Sequence, residues 1–386
     1  MRHSAHRSNF LIETRSLPAR AHWCSRSFTF YTLRAVALAK AGRLLPFAPF
    51  FLFPSYFLLS AGEEKTALAN RRKAKNVGSK GFDVKNRSLT GLVTLSGIRT
   101  PLEFRVVHIN GIALHVVLAG PPSGKPLIFL HGFPEFWFAW RLQIDHFVSL
   151  GYHVIMPDQR GYNLSDKPAG IASYSIDVLA SDVVGVLDTV TDSKAFVVGH
   201  DWGAGVAWYL AARYSERVSR TAMLSVPHPR IFIKNLIMNP AQLRRSWYTL
   251  FFQLPWLPEC ILRRRDWALL VGALRDTSPP GVFSDSDLEQ YKKSWARKGA
   301  LTAMLNWYRA ALFSPSKFAI DPEASRVKVP ALLIWGKNDQ FAGEAMARES
   351  LHYCDDGHLE MLETAGHWIH HEEPTQVNTL LSQFFA

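Results

Sequence analysis

The chain has 386 residues of globular composition, 48% hydrophobic and 20% charged, enough for one large α/β domain with an insertion or for two small domains. Its net charge of +12 suggests a nucleic-acid partner until it is located: residues 1–90 hold 16 of the 44 Lys and Arg but only four of the 32 acids, so the remainder is formally neutral. Cys24, Cys260 and Cys354 are far apart, odd in number and without metal-ligand spacing, so neither a disulfide framework nor a zinc site is suggested and a reducing compartment is the default reading.

Residues 1–62 form a basic N-terminal segment, within which 44–59 (LLPFAPFFLFPSYFLL) are almost wholly apolar. That stretch is shorter than the roughly 20 residues a spanning helix needs, and Pro46, Pro49 and Pro54 each disfavour helix. Basic groups flank both sides, Arg43 before and RRKAK at 71–75 after, so charge bias gives no orientation. Membrane association through 44–59 with a cytoplasmic catalytic part, an organellar transit sequence and a misplaced start all fit this composition. Residues 63–100, polar and rich in Gly and Lys, read as a linker, and 71–75 as a solvated flank rather than a nucleic-acid site, since no aromatics interleave it.

From residue 101 the pattern changes. Runs at 102–109 and 112–118 surround Asn110-Gly111, a hairpin signal. Short apolar runs at 126–130, 153–156, 195–198, 221–226, 331–335 and 359–362 then alternate with helical segments. This alternation predicts the α/β class, a mostly parallel, helix-covered sheet built from 101–228 and 321–386. Between these, 229–320 is rich in Trp, Tyr and Arg, lacks clear buried strands, and reads as a helical cap over the strand ends.

The run FVVGHDWGAG at 196–205 is a strand, a sharp small-residue turn and a helix. Glycines at 199, 203 and 205 permit a strained turn and close helix packing, lifting Asp201 above the end of the sheet. A carboxylate at that tip makes a covalent alkyl ester with an electrophilic carbon, whereas its attack on an ester or amide gives only an unstable anhydride. The elbow therefore favours alkyl transfer. Asp339 lies just past one apolar strand and His367 just past the next, and ligands gather at the carboxyl ends of parallel strands, so Asp201, Asp339 and His367 are expected to converge. Directly after the strand at 126–130 comes HGFPE at 131–135, whose turn can aim the Phe133 backbone N–H at the same spot as that of Trp202, forming an oxyanion hole. His131 and His200 read as braces.

From 102 to 386 the chain resembles the epoxide hydrolase branch of the α/β-hydrolase superfamily. The resemblance rests on HGFPE (131–135), DQRGYNLSDKP (158–168), GHDWGAG (199–205), WGKND (335–339) and AGHW (365–368), in the order nucleophile, acid, histidine. It implies an α/β-hydrolase fold and extends into the insertion, where Tyr248 and Tyr308 match that family's two cap tyrosines; Trp247, Trp256, Trp295 and Trp307 read as packing. The implied reaction takes a lipophilic epoxide and water to a vicinal diol. Asp201 opens the ring, the tyrosines, neutral with a pKa near ~10, meet the leaving oxygen, and His367, oriented by Asp339, activates water against the ester. No metal or organic cofactor is implied.

The nearest rival is a haloalkane or haloacid dehalogenase, which resembles this chain in fold and also uses an aspartate nucleophile. Trp202 would suit a halide, but Phe133 stands where an Asn is common, and fluoroacetate dehalogenases carry Arg after the nucleophile. The paired tyrosines favour epoxide opening. A non-catalytic receptor on the same scaffold is disfavoured because no site position is missing. HWIHHEE at 367–373 suggests metal ligands only superficially, and His370 and His371 read as surface residues. Nothing in the sequence sets the oligomeric state.

Overall fold

The computed structural model describes residues 97–313, 318 and 321–386. The basic segment 1–62, its apolar stretch 44–59 and most of the linker lie outside the described residues. Among the described residues no helix is long and apolar enough to cross a membrane.

Eight strands form one sheet: β1 (Leu102–Ile109), β2 (Ile112–Ala119), β3 (Lys125–Leu130), β4 (Tyr152–Pro157), β5 (Ala195–His200), β6 (Val218–Leu224), β7 (Ala331–Gly336) and β8 (Gly357–Leu362). Their spatial order is β1-β2-β4-β3-β5-β6-β7-β8. The β1/β2 hairpin turns on Asn110 and Gly111, both at positive φ (49° and 73°), as a two-residue primed turn requires. β2 pairs antiparallel with β4, and every later pairing is parallel. β4, β5 and β7 are buried along their whole length, the signature of parallel strands covered on both faces. Helices α1 (Arg141–Ser149), α2 (Ile176–Val190) and α3 (Trp202–Arg213) connect the first strands.

Two expectations need correction here. β6 ends at Leu224 rather than at 226, because Ser225 takes a left-handed backbone (φ 60°) that no strand continues through. The last residues of the expected linker are not free: Ile98 is buried, and Asp145 of α1 accepts from the backbone N–H groups of Arg99 and Thr100. The apolar residues at 92–98 are interrupted by Gly, Ser and Thr, too irregular a pattern to reveal that docking.

Residues 229–313 contain seven helices and, among the described residues, no strand: α4 (Pro229–Met238), α5 (Pro240–Arg245), α6 (Trp247–Phe251), α7 (Leu257–Leu262), α8 (Arg264–Arg275), α9 (Asp285–Trp295) and α10 (Ala300–Phe313). Their starts are written locally. Pro sits in the first turn of α4 and α5, the Asn239 side chain caps α5, and Ser284 with Asp287 makes a capping box on α9. α11 (Ala345–Ser350), α12 (Ile369–Glu372) and α13 (Pro374–Phe385) complete the layer around the last strands.

The loop at 158–168 fastens these helices to the sheet. Buried Asp158 accepts from the Trp137 backbone N–H (3.1 Å) and Asn163 Nδ2 (2.8 Å) and pairs with His115 (2.7 Å). On the loop so fixed, Arg160 O accepts from Trp307 Nε1 of α10 (3.0 Å), and Asn163 Oδ1 accepts from Arg297 Nε (2.8 Å). The DQRGYNLSDKP motif is thus a docking strip for the helical insertion. Trp295 and Trp307 are packing residues, as expected; Trp256 is not, standing 48% exposed before α7.

Candidate active site

Asp201 sits between β5 and α3 with φ 50° and ψ −122°, a strained backbone that projects its side chain from the carboxyl edge of the sheet. Gly203 makes the sharp turn practicable, since a Cβ there would lie 2.0 Å from Leu130 O of β3. Gly205 is different: a Cβ would meet nothing closer than Trp202 at 3.9 Å, so close packing does not demand glycine there.

The three expected residues converge. Asp339, in the turn after β7, is held by the backbone N–H groups of Phe341 (2.7 Å) and Ala342 (3.0 Å) on Oδ1. Its Oδ2 lies 2.8 Å from His367 Nδ1, which fixes the ring and leaves Nε2 facing Asp201 Oδ2 at 3.8 Å. The latter is an ion-pair separation, too long for a hydrogen bond. Phe133 N–H donates to Asp201 Oδ1 at 2.8 Å, and the loop carrying it approaches so closely that a Cβ on Gly132 would lie 2.4 Å from the Asp201 Cβ. Trp202 is the first residue of α3, where a backbone N–H has no acceptor within its own helix.

Burial works against charge on Asp201, yet His367, His200 and the Phe133 amide outweigh it and hold the carboxyl below its ordinary value. Burial likewise opposes charge on His367, but Asp339 and Asp201 overcome it and push His367 up to about 10. In the resting site the pair is therefore carboxylate and imidazolium.

Tyr248 of α6 and Tyr308 of α10 pack against each other and against the residues that flank this carboxylate. Their rings are 6.0 Å apart, Tyr308 packs edge-on against Phe133 (5.3 Å) and Trp202 (5.0 Å), and Tyr248 packs against Phe341, which in turn covers His367. Burial first, then the Asp201 charge, raise both hydroxyls above their ordinary value, so both are donors at neutral pH. Gln253 Nε2 donates to Tyr308 O (3.2 Å), tying the end of α6 to α10.

His131 is a brace, as expected. Its Nε2 accepts from the Gln159 backbone N–H (3.0 Å), so Nδ1 carries the proton and donates to Gly132 O (3.1 Å). His200 donates through Nε2 to the His367 backbone carbonyl at 3.0 Å.

His370 and His371 are not surface residues. Both are buried beside Glu135, which is fully buried. Glu135 Oε1 accepts from Tyr291 Oη of α9 (2.8 Å) and from His371 Nε2 (2.8 Å), while Oε2 lies 3.4 Å from His200 Nδ1 and 3.5 Å from His370 Nε2. Burial opposes charge on Glu135, but His371, His200 and His370 hold it well below the usual carboxylate range. Burial also keeps His370 and His371 below the ordinary histidine value. Glu135, His370 and His371 bring one ligand atom each within 4.8 Å of one another. The hydrogen bonds oppose a metal there. Arg141 Nη1 stands 3.1 Å from His371 Nδ1, and because a guanidinium only donates, the His371 proton is on Nε2, the nitrogen a metal would need.

Residues 125–374 match the family model for the alpha/beta hydrolase fold. The chain is 45% identical over 283 residues to an AB hydrolase superfamily protein of Bacillus subtilis, covering 73% of this chain and 98% of that one. It is 37% identical over 283 residues to human epoxide hydrolase 4, covering 71% and 76%. The crystal structure of a Bacillus megaterium epoxide hydrolase in complex with an inhibitor superposes with a TM-score of 0.64 at 31% identity, over 73% of this chain and 99% of that chain. With this fold and an Asp-Asp-His site at its strand ends, the chain belongs to the α/β-hydrolase superfamily. Within that superfamily its place is in the epoxide hydrolase branch.

Proposed function

We propose that the chain hydrolyses lipophilic epoxides to vicinal diols through an ester on Asp201, with residues 229–320 acting as the cap that supplies Tyr248 and Tyr308. The observation that supports this reading is the pairing of Tyr248 and Tyr308, rings 6.0 Å apart and hydroxyls raised by burial and by the Asp201 charge, beside a carboxylate whose Oδ1 accepts from the Phe133 amide at 2.8 Å. Asp201 Oδ2 attacks a ring carbon, the carbon–oxygen bond breaks, and Tyr248 or Tyr308 protonates the departing oxygen. The tyrosinate recovers a proton from the His367 imidazolium.

Alkylation itself prepares the second step. As an ester, Asp201 no longer adds its charge and contact to those of Asp339, so burial opposes recharging of His367 with less resistance, and the ring that has passed its proton to the tyrosinate serves as the neutral base. His367 then takes a proton from water, the hydroxide attacks the ester carbonyl, and the Phe133 and Trp202 amides hold the oxyanion. Collapse releases the diol oxygen, which takes that proton from His367. The new Asp201 carboxylic acid returns its proton to His367, and the resting pair is restored.

Dehalogenation would use the same nucleophile but gives Tyr248 and Tyr308 no leaving oxygen to protonate, and a non-catalytic receptor gives the Asp201–His367–Asp339 alignment no task. Single turnover in heavy-oxygen water tests the route. The first diol should be unlabelled and the label should enter Asp201; label in that diol would show direct attack of water on the epoxide.

A further inference from the structure

We infer that the outer face of residues 229–258 docks on an anionic lipid surface. Along this stretch, large apolar side chains stand in solvent: Ile237 is 77% exposed, Met238 73%, Leu250 51%, Leu254 37% and Trp256 48%. They lie on consecutive elements in contact with one another: α5 packs on α4 and α6 on α5, and the 252–256 loop leaves α6 directly. Exposed apolar residues scattered singly need no explanation; a run of them on adjoining short helices does.

The charge carried by the stretch itself has one sign, with Lys234 paired to Glu349 of α11 (2.9 Å). Residues 229–258 contain Arg230, Lys234, Arg244 and Arg245 and no Asp or Glu. Arg244 and Arg245 are exposed, as are Arg263, Arg264 and Arg265 just beyond. A second copy of this chain, placed face to face, would bring arginine against arginine. A surface of phosphate and carboxylate headgroups over acyl chains complements both properties at once, since aliphatic and indole groups enter the interface while arginines pair with headgroups. Trp256 holds a left-handed backbone (φ 53°) at the tip of the loop, a conformation unusual for a bulky residue, and it turns the indole away from the packed interior. The same helix α6 that shows Leu250 to solvent turns Tyr248 to the site, so a docked surface would lie one helix away from Asp201.

The test uses the full chain with vesicles of phosphatidylcholine, with and without phosphatidylserine, and with brominated acyl chains. Phosphatidylserine should tighten binding about tenfold or more. Ile237→Ser with Met238→Ser, and separately Arg244→Glu with Arg245→Glu, should each weaken it about tenfold or more. Brominated chains should quench a part of the tryptophan emission that Trp256→Phe lacks. Hydrolysis of a water-soluble epoxide should be unchanged in all three variants, which reports that they fold and separates docking from the reaction.

Three results would overturn the inference. One is equal quenching of the wild type and Trp256→Phe while the protein remains on vesicles, which would assign binding to residues outside this face. Another is binding indifferent to phosphatidylserine. The third is a dimer in solution that Ile237→Ser with Met238→Ser dissociates.

Discussion

Two carboxylates lie on either side of His200, and they have opposite fates. Asp201 has one firm hydrogen bond, from Phe133 N–H, a histidine held back at 3.8 Å, and a side chain 18% exposed. Glu135 accepts from Tyr291 and His371, has His200 and His370 within 3.5 Å, and is sealed from solvent. Both are ionised and both face histidine. A lone pair already committed to donors cannot attack carbon, so a nucleophile is a carboxylate whose solvation has been left incomplete. Glu135 instead links the 131–135 loop to α9, and through His200 to the backbone of His367.

This contrast can be broken from either side. The largest effect is expected from His367→Gln, which should lower steady-state turnover by about 10³-fold or more while a single equivalent of Asp201 ester still forms and is trapped by acid quench and mass spectrometry. Failure of the ester to accumulate would mean that His367 is needed before alkylation. Tyr248→Phe and Tyr308→Phe should each slow ring opening about 10- to 100-fold in stopped-flow measurements and leave ester hydrolysis nearly unchanged. Glu135→Gln should act on stability first. Removing the charge from a buried hydrogen-bonded cluster should cost about 3 kcal/mol, read as a lowered thermal midpoint, with a smaller change in kcat at a temperature where the variant is folded. A loss of activity without a loss of stability would place Glu135 with Asp201 instead.

Much of the architecture was legible because it is written in local signals. The strands are apolar runs bounded by turns, and the elbow declares itself by an acid among glycines, so Asp201, Asp339 and His367 fall where their strands end. Tyr248 and Tyr308 needed motif context, since by residue type they resemble any cap aromatic. What stayed hidden depends on distant partners. The burial of His370 and His371 follows from Glu135, 236 positions from His371 along the chain, and a histidine pair beside two glutamates otherwise looks solvated. Trp256 misled for the opposite reason, because no local pattern tells an indole that fills a core from one left outside.

The backbone at Asp201 also limits what this scaffold can become. At φ 50° a β-branched side chain is a severe outlier, whereas short unbranched residues such as Asp, Asn, Ser or Cys can be accommodated. The elbow is therefore a socket with a narrow entry rule. A threonine nucleophile is closed to it, but a change between carboxylate, hydroxyl and thiol asks nothing of the main chain. The Phe133 backbone N–H, the proposed oxyanion donor, would remain in place for an acyl intermediate. Alkyl and acyl chemistry in this fold are thus neighbours in sequence space, separated by one side chain and by whatever the cap presents to the leaving group.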